Sequence, residues 1–164
     1  MAYNIQDNRA GVQPIATVDT VQNHPLGTII RASDPTYGAG EFIYLKGVTS
    51  AAVGHIVSYD VGFAAVLDSV ALDKPRPYAM LMSAIDASTK YGWAQIAGQA
   101  IVKKADTVSF AAGAGLGSGS GLAVAVATGS IINGALVAVV ASAKTGVETV
   151  RVMISRPHGP SDVS

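Results

Sequence analysis

The stretch Val147-Glu-Thr-Val-Arg-Val-Met-Ile-Ser155 decides the fold class. Val150, Val152 and Ile154 alternate with Thr149, Arg151, Met153 and Ser155. A period of two sends these sets to opposite faces of an extended strand, one buried and one solvated or interfacial. Ala135 to Ser142 form a second strand, and Ala143-Lys-Thr-Gly146 between the two reads as a hairpin turn with glycine at the left-handed position.

Outward from this hairpin the same grammar continues. Glu41-Phe-Ile-Tyr-Leu-Lys46 has apolar side chains pointing both ways, as in a strand covered on both faces. Gly54 to Asp60 and Pro77 to Ala84 are further short strands, the latter entered through the turn-like Asp73-Lys-Pro-Arg-Pro77. Tyr91 to Lys104 is long enough for one bent strand or two, with Gly98 at the bend. In Leu122 to Thr128, Leu122, Val124 and Val126 share one face and Ala123, Ala125 and Ala127 the other; the valine face is expected in the core. Val61 to Leu72 alone hints at helix, through Phe63, Leu67 and Val70, with a loop or irregular strand as the alternative. Closely spaced turns between short strands predict an all-β, single-domain β-sandwich or small barrel.

The ends differ from this middle. Residues 1–27 are polar, weakly periodic and carry Pro14 and Pro25, which predicts an extended N-terminal arm, frayed or laid on a neighbouring subunit. Residues 28–157 form the β domain. Residues 158–164 read as a flexible tail, too polar and broken to pack.

Composition narrows function. At 164 residues the chain fits one domain, large enough to fold without disulfides or metals. Charged residues are 13% of the chain, about half the usual ~25%. So little charge leaves two readings, a neutral surface rich in Ser, Thr and Gly or an exterior partly covered by other subunits, and favours the second. Net charge is +0 and Lys103-Lys104 is the only adjacent basic pair, so no nucleic-acid partner is expected. The start lacks a charged and apolar leader pattern, and Ile131 to Ala143, broken by Asn133 and Gly134, falls short of the ~20 residues that span a bilayer; neither secretion nor a membrane partner is expected. The absence of cysteine decides little about the compartment.

Chemistry-bearing motifs are sparse. Gly113-Ala-Gly-Leu-Gly-Ser-Gly-Ser-Gly121 lacks the lysine and following helix of a phosphate loop and the spacing of a dinucleotide fingerprint, and reads as a flexible loop between strands. Ser118 and Ser120 are outside any nucleophile-elbow pattern. His24, His55 and His158 are far apart, and Asp60, Asp68 and Asp73 lack metal-loop spacing and read as turn or strand-end residues. Glu41 and Glu148 sit on separate strands, in a chain with only 6% aromatics to line a sugar cleft. No catalytic residue, cofactor or metal is expected. Trp93, the single tryptophan, shares a strand face with Gln95, Ala97, Gln99 and Ile101. Its roles are core packing, with the indole N–H finding an acceptor, or an interface anchor. The polar companions favour the interface, for which Tyr3, Ile5, Tyr91, Trp93 and Gln95 are the candidate residues.

Tyr91-Gly-Trp-Ala-Gln-Ile-Ala-Gly-Gln-Ala100, with Gly40 to Gly47, Val57-Ser-Tyr-Asp60 and Pro77 to Ala84, resembles small head proteins of tailed bacteriophages. The likeness runs from about Gly27 to Arg156 and omits the glycine-rich segment and the first 25 residues. It implies a capsid decoration, or cement, protein: mostly β, often trimeric, bound to the outer surface of the expanded shell and partnered by the major capsid protein and by copies of itself. The expected location is the virion surface. The alternative is a head-fibre or spike-type receptor- or glycan-binding module, which the sparse aromatics disfavour.

Overall fold

In a computed structural model, the chain is described for residues 4–5, 12–67, 76–126, 131–141, 146 and 148–159. Among these the chain is all-β with no helix. The strands are β1 (Asn4–Ile5), β2 (Val18–Asp19), β3 (Ile29–Asp34), β4 (Gly38–Lys46), β5 (Ile56–Tyr59), β6 (Ala65–Val66), β7 (Tyr78–Leu81), β8 (Tyr91–Lys104), β9 (Gly115–Gly119), β10 (Leu122–Val124), β11 (Ile131–Val137) and β12 (Glu148–His158).

Strands β8, β10, β9, β11 and β12 close into a small five-stranded barrel. Its pairings are antiparallel except at the seam, where β10 meets β8 in parallel through Ala123 and Lys104. Val150, Val152 and Ile154 of β12 point inward, as their alternation predicts, and meet Ala100, Val102, Leu116, Ile132 and Ala135.

The first half of β8 leaves the barrel and becomes the centre of the flanking strands. β4 pairs with Tyr91 to Ala97 along one edge; β2 and β7 take successive lengths of the other before β12 takes over at Ala97. Phe42, Ile43, Tyr44 and Leu45 are all buried, as expected for a strand covered on both faces. Two cores result there, one around Leu45, Val57, Leu81 and Ile96, the other around Ile30, Phe42, Tyr44 and Trp93.

Several expectations need correction. Gly113 to Gly121 is no loop: Gly115 to Gly119 form β9, with Leu116 and Ser118 buried. Glycine disfavours strands, but here it makes room for the hairpin partner, whose Val124 and Val126 side chains would lie 3.1 Å from side chains added at Gly119 and Gly115. The same packing inverts the expected orientation of β10, with Ala123 buried and Val126 exposed. The first strand of the last hairpin runs Ile131–Val137 rather than from Ala135, because Gly134 at φ +76° absorbs an irregularity in register. Residues 158–159 are not tail: His158 ends β12 opposite Asn133, and the Gly159 amide donates to the Arg76 carbonyl at 2.9 Å. Nor are residues 12–27 a free arm, since Ile15 is buried in the core with Val12 and Leu26 against it. Val61–Leu72, the helical hint, contains β6; its last residues, the turn Ala143–Thr145, and Asp68 and Asp73 lie outside the described residues.

Candidate interaction surface

The structure buries two of the residues singled out as an interface, Trp93 and Gln95. Tyr3 lies outside the described residues. Ile5 belongs to β1, whose backbone pairs with Ala32 of β3. Tyr91 is half-buried, and Trp93 and Gln95 are wholly buried. The core alternative therefore holds for Trp93 within the folded chain. Both faces of β8 are covered at this level, so the polar residues beside the indole mark no exposed face. The indole Nε1 has no hydrogen-bond partner among the described residues.

What surrounds Trp93 is a clasp for the N-terminal segment. Its ring lies 5.0 Å from Tyr44 and 5.4 Å from His24, and His24 stands edge-on to Tyr44 at 5.1 Å. Asp19, buried on β2, accepts hydrogen bonds from the Tyr44 hydroxyl, the Gln13 amide and the Asn23 amide, the last at 2.9 Å. Gln13 in turn meets His24 Nε2 at 2.9 Å. Burial, and then the hydrogen bond to Asp19, push the Tyr44 phenol well above its usual range. These hydrogen bonds hold residues 13–24 to β4, which makes the cluster a fastener. Gln95 likewise works internally. Its Nε2 donates to the Ala97 and Gln99 carbonyls at 3.0 and 2.9 Å, bridging the bend at Gly98.

The exposed surface with binding character lies on the outside of the barrel. On β12 the outward set is Thr149, Arg151 and Met153. Met153 faces Leu136 across the β11 pairing, and the two are 46% and 52% exposed. The Ala138 amide bonds to the Arg151 carbonyl, carrying the pairing on toward the exposed Val139 and Val140. On the other side Ile101 of β8 is the register partner of Arg151. Between them lies a shallow cleft of ≈ 500 Å³, rimmed by Tyr37, Ile101, Val140 and Arg151. The Arg151 guanidinium sits 5.0 Å over the Tyr37 ring, a cation–π contact at the edge of an apolar patch. The alternation of β12 signalled such a face, but nothing local signalled that Leu136 and Val140 would extend it.

Among the described residues, no group of three or more His, Cys, Asp or Glu side chains converges to hold a metal. Asp60 acts as a turn residue, its Oδ1 accepting from the Gly62 and Ala64 amides at 2.9 and 3.1 Å. The His55 imidazole has its Nδ1 buried without a partner among the described residues, and burial, then the Lys103 charge, lower its pKa. No protein-family model, curated protein or solved structure matches the chain.

Proposed function

We propose that this chain is a capsid decoration protein of a tailed bacteriophage, a homotrimer that binds the outer surface of the icosahedral shell and stabilises it. The observation that carries the reading is the exposed apolar face formed by Leu136, Met153 and Val140 on the rigid wall of the barrel. Exposed side chains of this kind on neighbouring strands suit adhesion, and the resemblance of Tyr91 to Ala100 and its companion segments supplies the partner.

A decoration protein works by mass action. It binds the assembled shell and not dissociated subunits, so each bound copy adds its binding free energy to shell stability. Joining three copies raises the effective concentration of each contact, and individually weak sites then hold together. Neither step uses a reactive group.

The test mixes purified protein with expanded shells of the phage that encodes it. Co-sedimentation and a raised shell melting temperature are expected. The double variant L136K/M153E, whose opposite charges face each other across the pairing, should keep its β fold by circular dichroism and should lose shell binding or trimerisation. Absence from shells and virions, or selective capture on a glycan array, overturns the reading; the latter favours a head-fibre module.

A further inference from the structure

Three strands lose regularity at one level. Between β4 and β8 the register slips: Glu41 pairs with Ala97 but Phe42 with Gln95, which leaves Ile96 as an inserted residue. Gly98 follows at φ +100°, and a side chain there would strike the Ala39 carbonyl oxygen at 2.4 Å. On β12, Arg156 adopts φ +45°. A non-glycine residue holds that conformation only where its surroundings enforce it, and such outliers gather at functional sites. Bulges re-aim side chains. Here they open a recess of ≈ 410 Å³ with Gly40, Ala97 and Gly98 in its lining and Arg31, Glu41 and Arg156 around it.

The charges are arranged unevenly. Arg31 donates from Nε and a terminal nitrogen to Glu41 Oε1 at 3.3 and 3.2 Å, and Arg156 donates to Oε2 at 2.9 Å. The Glu41 side chain is 19% exposed, whereas Arg31 and Arg156 are 75% and 66% exposed. Burial resists ionisation of Glu41, but the hydrogen bonds from Arg156 and Arg31 outweigh it and hold the carboxyl below its usual range. Two guanidiniums around one carboxylate leave the group one positive charge in excess. Each arginine has five N–H donors, and those not spent on Glu41 have no acceptor among the described residues.

We propose that this recess is a carboxylate-binding site, in which a carboxylate presented by a partner protein sits against the N–H donors of Arg31 and Arg156 that Glu41 leaves free, in competition with the Glu41 charge. The excess charge matches one monoanion. A phosphate dianion would leave the cluster negative and close to the Glu41 carboxylate. Planar guanidiniums suit a planar carboxylate, and the glycines let it approach the backbone. The site does not rest on the decoration reading, because binding is measured on the free chain.

The experiment follows the arginine Nε–H signals of the ¹⁵N-labelled protein by NMR. The probes are N-acetylglutamic acid α-amide, which offers a side-chain carboxylate, N-acetylglycine, which offers a terminal one, and inorganic phosphate. Saturable shifts at Arg31 and Arg156 are expected with a carboxylate probe, the tighter one naming the source, and weaker binding with phosphate. E41Q removes the competing charge and should tighten carboxylate binding about fivefold, the effect of one unit charge at ~4 Å in water. R31Q/R156Q should abolish it with the amide spectrum otherwise native; if that variant does not fold, R31Q, at the more exposed arginine, should weaken binding. No saturable shift up to about 100 mM, shifts that persist in the arginine variant, looser binding in E41Q, or tighter binding of phosphate each overturns the proposal.

Discussion

Replacing Gln95 tests whether one buried amide holds the bend of the central strand. In Gln95→Leu a side chain of similar bulk stays in place, but both donors to the Ala97 and Gln99 carbonyls vanish. Two hydrogen bonds at about 1 kcal/mol each, plus the cost of leaving their acceptors short of donors, predict a loss of about 2–3 kcal/mol. For a chain of this size that lowers the melting temperature by about 4–12 °C. Gln95→Glu sharpens the test by turning an oxygen toward the same two carbonyls. Burial and the facing oxygens raise the folded-state pKa of the new carboxyl, so the folded chain binds more protons than the unfolded one. The stability of Q95E, measured against the parent chain, should therefore be best below the ordinary glutamate pKa and fall as pH rises through neutrality, whereas the deficit of Q95L should be flat with pH. Urea unfolding followed through Trp93, the single and wholly buried tryptophan, reads both. A Q95L deficit under about 0.5 kcal/mol, or a Q95E deficit without pH dependence, would refute the bracing role.

Trp93→Ala should cost about 3–5 kcal/mol and unfold much of the population; a folded variant that only loses its oligomeric state, by light scattering and circular dichroism, would return the residue to an interface. His55 has a folded pKa depressed below 6.5 by burial and Lys103. Its contribution is therefore intact above pH 6.5 and lost as pH falls through the folded value, and H55N should remove that part of the pH–stability profile measured by thermal melts. Deleting residues 1–25 removes Ile15, Asp19 and the Asp19 bond to Tyr44, so the melting temperature should drop sharply; an unchanged value would mean that the segment is not fastened as described.

Much of the fold was legible where a strand carries its own pattern. Tyr91–Lys104 emerges at its expected bounds with the bend at Gly98, and the Val150–Ile154 alternation faces the core as read. What escaped depends on distant partners. Gly115 to Gly119 looks structureless alone, and becomes a strand because β10 and β11 pair with it. Ala123 is buried in place of the valines because Val124 and Val126 pack over Gly119 and Gly115 on the other side. The N-terminal segment was misjudged because one apolar residue, Ile15, and one carboxyl, Asp19, anchor it, and sparse anchors leave no period to detect. At Trp93 and Gln95 the pattern misled in the same way: polar neighbours of Trp93 suggested water, but Gln95 is buried and bonds its own backbone. The Arg31–Glu41–Arg156 cluster spans three strands and left no local trace at all.

The 14-residue strand β8 serves two structures at once, as a stave of the barrel and as the spine of the sheet beside it. Neither half can melt while the other survives intact, because each would take with it the other's middle strand. The chain therefore unfolds as a unit despite its several cores, and a single cut within Tyr91–Lys104 would dismantle everything, where a cut at a loop tip would be tolerated. One strand common to both leaves no internal joint at which barrel and flanking sheet could part.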